Sequence, residues 1–252
     1  MKKFFFVILF IMLVLSFIAW RNNSPKLIIS ALLTDKGMRD GMLVYKINFF
    51  SIIPVGKALI RQESLEEYKG KKVYHLSAEA MSLKAFSKVF SAVANLDSYV
   101  DVKKKSPLFF RQAIFISGKE QAVKEITYDQ DAGVMFMREE RRHIPPFTQD
   151  PLSLIFNLRQ MDFEKERGFE MNLNTNQKNY TIKGSVTPKE IWVNKKEYRI
   201  YVLNAQIFRK EKNPYHKSKV TVVFLKDKKN IPVLIRVFAS GAAINAKLIE
   251  AR

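Results

Sequence analysis

Residues 145–159, PPFTQDPLSLIFNLR, put an acid (Asp150), a hydroxyl (Ser153) and a guanidinium (Arg159) on one short stretch. Those side chains are the ingredients of a hydrolytic centre. The chemistry of such a centre also needs an exposed nucleophile beside a base, and the surroundings supply neither. No G-x-S-x-G motif gives Ser153 the strained elbow of a hydrolase nucleophile. The three histidines, His75, His143 and His216, each stand alone, and no H-E-x-x-H helix exists to hold a metal. Gly37 and Gly41 are not followed by a lysine at phosphate-loop spacing. The chain has no cysteine, which excludes disulfides, zinc–thiolate sites, iron–sulfur clusters and a thiol nucleophile. The expectation is therefore a non-enzymatic protein with no catalytic residue, no metal and no cofactor.

The same stretch reads well as a helix. A residue before proline is pushed out of the α region, which is the conformation an N-cap needs, so Asp150 caps. Pro151 takes the first helical position, where its missing N–H costs nothing. Leu152, Ile155, Phe156 and Leu158 then cover most of the surface, leaving Ser153, Asn157 and Gln160 as one polar stripe. Arg159 suits the negative pole at the end.

The elements around it follow a period of two. Tyr45, Ile47 and Phe49 alternate with Lys46 and Asn48, and Tyr74, Leu76, Ala78 and Ala80 alternate with Val73, His75, Ser77 and Glu79. Further strands are expected at 55–63, 96–103, 108–117, 121–128, 134–140, 168–174, 179–186, 190–195, 198–209, 219–226, 231–239 and 242–249, separated by turn-forming residues. A second helix is expected over 84–95, with Phe86, Val89, Phe90 and Val93 at helical spacing. The predicted fold is mainly β: a strongly curved antiparallel sheet or half-barrel of about 10–13 strands with two short helices against it. Strand–helix alternation is missing, which argues against a parallel α/β fold.

Ahead of this domain, MKKFFFVILFIMLVLSFIAWR has two lysines, an uncharged run over residues 4–20, and Arg21. It reads as a signal peptide or signal anchor (1–21), followed by a linker (22–40) and a single β-rich domain (41–252). Phe17 stands where a signal peptidase wants a small residue, so retention as an anchor is at least as well supported as cleavage. With Lys2 and Lys3 inside, the domain is expected in the bacterial periplasm or on the periplasmic side of the inner membrane.

The formal charge of +19 suits an anionic partner. No nucleic-acid-binding motif is present, so the partners expected are the membrane, lipid or anionic headgroups, and another envelope protein. Twenty phenylalanines are more than a one-sided sheet needs. They either pack the core or line a cavity for a greasy ligand, with Phe49, Phe86, Phe90, Phe136 and Phe156 as lining candidates. Three function classes stay open: binding of a hydrophobic or amphiphilic, lipid-like ligand; a structural or interaction module for an envelope protein or polymer; and, third, a hydrolase.

Five stretches in order, GMLVYKINFFSIIPVGKA (41–58), KSPLFFRQ (105–112), ITYDQDAG (126–133), DPLSLIFNLR (150–159) and VVFLKDKKNIPVLIRV (222–237), resemble the domain of unknown function 3108, DUF3108. The resemblance is carried by Gly41, Tyr45, Pro54 and Gly56; by Asp150, Ser153, Leu158 and Arg159; and by Asp227 and Ile231 to Val233 around Pro232. It implies export to the cell envelope and a β-rich fold, and it assigns no catalytic residue. Phe224 stands where that pattern often has tryptophan. A looser analogy is to the half-barrels of LolA- and LolB-like lipoprotein carriers.

Overall fold

The computed structural model describes residues 41–83, 91–117, 119, 121–175, 177–209, 218–226, 230–239 and 241–252. The expected signal segment and linker, Phe86, Phe90 and Asp227 lie outside them.

Alternation of apolar and polar residues produces a meander. The first eight strands are β1 (Met42–Phe49), β2 (Ile53–Tyr68), β3 (Lys71–Ser82), β4 (Ala92–Asp101), β5 (Pro107–Ile116), β6 (Ala122–Asp129), β7 (Val134–Met137) and β8 (Glu140–His143). Helix α1 (Pro151–Gln160) follows. Then come β9 (Gly168–Thr175), β10 (Lys178–Val193), β11 (Lys196–Arg209), β12 (Ser218–Leu225), β13 (Ile231–Ala239) and β14 (Ala242–Ala251). All fourteen form one antiparallel sheet in the order β8-β7-β6-β5-β4-β3-β2-β1-β14-β13-β12-β11-β10-β9. Strands adjacent in sequence pair, except β8 with β9, and the first pairs with the last.

The sheet has more strands than the expected 10–13, and within it 134–143 is a hairpin, turned at Arg138 with φ 55, where the sequence predicts one strand over 134–140. In the other direction, 179–195 is one strand rather than two. Pro188 is tolerated inside it because β9 pairs only as far as Ser185. The proline's missing N–H therefore faces no neighbour.

The expectation of two helices is corrected to one among the described residues. Residues 92–95 of the predicted 84–95 helix, Val93 included, belong to β4; residues 84–90 lie outside the description. Apolar residues there fit both periods, and pairing of β4 with β3 and β5 decides for the strand.

The sheet is rolled without closing. Its free edges, β8 and β9, lack a common ladder, yet the chain between them stitches the gap. Ile144 N–H donates to Gly133 O (2.9 Å), Gln149 N–H to Asn172 O (2.8 Å), and Asn174 N–H to Gln149 O (2.7 Å). Side chains add to the seam: Asn172 Nδ2 donates to Pro146 O and Asn179 Nδ2 to His143 O, both at 2.9 Å.

Candidate functional site: the lumen of the rolled sheet

Side chains alternate along a strand and paired residues share a side, so register sorts the whole sheet into an inner and an outer wall. Helix α1 identifies the inner one. Its Leu152 and Phe156 pack with Leu76, Val100, Phe110, Ile126 and Met135 of one half of the sheet. Its Leu154 and Leu158 pack with Ile182, Val186, Leu203, Val222 and Phe224 of the other. One helix touching both halves means that the sheet wraps around it. A ring of eight strands is about filled by its own side chains, whereas sixteen leave a channel, so fourteen call for a filler. The helix is that filler. At 10 residues it is about 15 Å long, while β10, at 16 residues, runs about 53 Å.

Its position is fixed by polar contacts at both ends. Asp150 accepts the N–H groups of Leu152 (2.8 Å) and Ser153 (2.9 Å), and Ser98 Oγ of β4 donates to its second oxygen (2.5 Å). Ser153 Oγ returns the favour by accepting Asp150 N–H (2.9 Å), completing a capping box. Burial pushes the Asp150 carboxyl up to about 6, against the downward pull of these hydrogen bonds, Ser98's first. The sequence's acid and hydroxyl are thus spent on each other inside a fully buried cap.

In the middle, Asn157 Nδ2 donates to Lys105 O (2.6 Å) and to Gln149 Oε1 (2.8 Å). At the far end, Asn230 Nδ2 donates to Arg159 O (3.1 Å) and Met161 O (3.0 Å), covering carbonyls that a helix end leaves bare. Gln130 Nε2 ties Thr148 O (2.9 Å) to the β6–β7 turn, and Tyr45 Oη donates to Pro232 O (2.8 Å). Four of the five sequence stretches therefore supply the helix or contact it, its lead-in or the loop that caps it, and the first is tied to the strand that follows that loop. Gly56 fits the same frame: a Cβ there would lie 2.6 Å from Met81 O.

Beside the helix end is a half-open cavity of about 590 Å³, lined among others by Tyr74, Phe156, Arg159, Phe163, Tyr201 and Lys226. Glu164 at its edge accepts from Lys226 Nζ (2.5 Å), Tyr201 Oη (2.6 Å) and Arg199 Nη1 (3.3 Å). Those donors, Lys226 foremost, hold its carboxyl down to about 2. A gap of about 20 Å³ between the helix and Leu43, Ile60 and Leu76 is nearly filled.

The other half of the lumen is different. Along the inward rows beyond the helix stand Gly56, Ala58, Ala78, Ala80, Ala94, Ala246, Ile235, Val237, Val220 and Ala205. Most are only half-buried, and Ile244 keeps 47% of its surface. The side chains facing inward here are small, and Ala58, Ala78 and Ala246 sit at the margins of the core clusters.

The aromatic lining candidates are not brought together. Phe156 lies between the helix and the sheet and borders the end cavity. Phe49 meets Phe50 edge to face near the β1–β2 turn, with ring centroids 4.4 Å apart. Phe136 is on the outer wall, beside a recess of about 660 Å³ that also has Tyr68, Lys69, Lys71 and Lys104 in its lining. His75 is on the outer wall as well, between Glu66 (3.0 Å) and Asp97 (3.1 Å). Among the described residues no group of three or more histidine, aspartate or glutamate side chains is placed to hold a metal ion, and no helix is long and apolar enough to cross a membrane. Sequence reasoning missed Ser98 and Asn230 and placed Asn157 in the polar stripe of the helix without its partners, because those partners are distant in sequence. It also gave no weight to the alanines, although Ala78 and Ala80 lay in the alternating run it used.

The model of the protein family of unknown function DUF3108 matches residues 44–248. The chain belongs to the DUF3108 family. Its five stretches, scattered through the sequence, are thus gathered in this member around one helix. No curated protein matches the chain. Among solved structures, this DUF3108 chain is similar to the beta-barrel-like protein of domain of unknown function DUF1849 from Brucella abortus. Identity is 10% and the TM-score 0.56, over 83% of this chain and 95% of that one. Similarity at that identity shows a shared barrel-like fold.

Proposed function

We propose that this DUF3108 protein is a non-enzymatic component of the bacterial cell envelope, exported or anchored by its N-terminal segment, that holds a hydrophobic or amphiphilic, lipid-like ligand in its rolled sheet. The observation that carries the reading is the row of inward-facing alanines, Ala58, Ala78, Ala80, Ala94 and Ala246, half-buried in the part of the lumen beyond α1. Small side chains facing one another across a wide sheet make room for a chain-like apolar guest, and strand alternation turns the charged neighbours of these alanines, Lys57, Glu79 and Lys247, to the outer wall. The envelope location is supported by the uncharged run over residues 4–20 behind Lys2 and Lys3.

The test is native mass spectrometry of the full chain purified in mild detergent, with Ala80→Trp and Ala94→Phe as lumen-filling variants. Bound lipid is expected on the parent and at least tenfold less on the filled variants, each with unchanged circular dichroism. A parent that carries no lipid, and takes up no fluorescent fatty acid when offered one, sinks the reading.

A second reading, an interaction module for an envelope protein or polymer, draws on the outer wall. There Tyr68, Tyr99 and Phe109 form a run of rings with centroids 5.1 to 5.8 Å apart, beside the lysine-lined recess. Tyr99→Ser with Phe109→Ser would abolish binding of such a partner and leave lumen uptake intact.

A further inference from the structure

Followed toward the turns opposite α1, the inner wall acquires charge. Lys124 of β6 is opposite Gln112, which is opposite inward-facing Leu96. Arg209 ends β11 opposite Tyr180, and Lys178 begins β10 two positions before Tyr180, on the same side. Register therefore turns three cations inward at one rim, and all three are half-buried. The described inward positions of that half of the lumen contain no acid.

Their placement is not scattered. β7 pairs with β6 only over Thr127–Asp129, so Lys124 lies past the end of that ladder, beside the unpaired seam. Lys178 and Arg209 approach the same seam from its other side, through β9, β10 and β11. A long cationic side chain on an apolar wall lays its stem along that wall and carries its head to the polar boundary. Three such heads at the rim of an apolar chamber match a guest with an apolar tail and a negatively charged head. A hydrogen bond between ions is about twice as strong as one between neutral groups, and low-dielectric walls strengthen it further.

We propose that the lumen ligand is an anionic amphiphile, its tail among the inward alanines and its carboxylate or phosphate head held at the rim by Lys124, Lys178 and Arg209. This rests on the lumen reading above and names the chemical class of its ligand. A neutral lipid of the same length gains the tail contacts alone.

The experiment uses the full chain exchanged from detergent into amphipol, with cis-parinaric acid and its methyl ester as fluorescent probes at pH 7.5. The acid is expected to bind at least about tenfold tighter than the ester, a ratio that one well-made ionic contact supplies. The ratio collapses toward one in Lys124→Met, Lys178→Met and Arg209→Met, while ester binding stays within twofold. Arg209→Lys retains the preference, and so does Lys219→Met, which removes a charge from the outer wall. Displacement by oleate and by dioleoyl phosphatidate then separates the two sources of charge: either supports the proposal and names the head as carboxylate or phosphate. Equal binding of acid and ester by the parent overturns the anionic head and leaves the lumen reading standing. Binding of neither overturns both.

Discussion

Replacing Asp150 by asparagine should remove a pH dependence from the stability of this protein. The side chain is fully buried under the sheet and accepts three hydrogen bonds, from Ser98 Oγ and the N–H groups of Leu152 and Ser153. Burial outweighs those bonds and pushes the carboxyl from its ordinary 3.8 to about 6. A folded-state value above the unfolded one means that folding takes up a proton between the two. The stability from this group is complete below about pH 3.8 and is lost as pH rises through about 6. At about 1.4 kcal/mol per pH unit, the loss amounts to about 3 kcal/mol. Asparagine caps a helix about as well as aspartate and has no charge to bury. Urea unfolding of parent and Asp150→Asn, followed by far-ultraviolet circular dichroism from pH 4 to pH 8, isolates this group because other titrations cancel in the difference. The variant should gain about 3 kcal/mol relative to the parent across that window. Asp150→Ala, which strips the acceptor from all three donors, should instead lose about 2 kcal/mol even at pH 4. Curves for parent and asparagine variant that run parallel from pH 4 to pH 8 would refute the reasoning.

Three further outcomes follow from the same geometry. Asn230→Ala removes both hydrogen bonds over the end of α1 and should cost about 1–2 kcal/mol, read by urea melts, with faster amide exchange in 158–161. Tyr45→Phe deletes the phenol that reaches Pro232 O inside the core and should cost about 1–3 kcal/mol by the same assay. Gly184→Val puts a Cβ 2.5 Å from Asn204 O and 2.8 Å from Ala205 Cβ, and should lower the thermal midpoint by the equivalent of about 1–3 kcal/mol, whereas Gly168→Ala, with open space around it, should stay within about 0.5 kcal/mol in the same scan.

Much of the architecture was legible because its causes are local. Asp150-Pro151 announces a helix start through constraints that act within two residues, and the helix begins there. Alternation along 74–80 places Leu76 and Ala80 on one side without reference to any partner strand. Where the cause is a neighbour distant in sequence, the sequence was silent or ambiguous. Val93 fits a helical stripe as well as a strand, and only pairing with Met81 and Phe115 settles it. Pro188 reads as a break until β9 proves too short to miss its N–H. The site was the least legible part. An inward Lys124 differs from an outward Lys219 by register alone, and no property of the residue itself reports register.

The pairing of β1 with β14 imposes an order on events. Every other ladder in the sheet joins strands adjacent in the chain, and such contacts can form as soon as a hairpin is available. This one joins Leu43 to Ala251, the opposite ends of the sheet's sequence. A chain emerging from its N-terminus must therefore hold one flank of β1 unpaired until its final strand arrives. During that interval β1 offers an open edge to any other extended chain, which is where misassembly would begin. Strand β14 thus acts as a latch, and deleting it would leave the two ladder halves, β1–β8 and β9–β13, with no ladder between them, joined through the helix segment and the side-chain contacts of the seam.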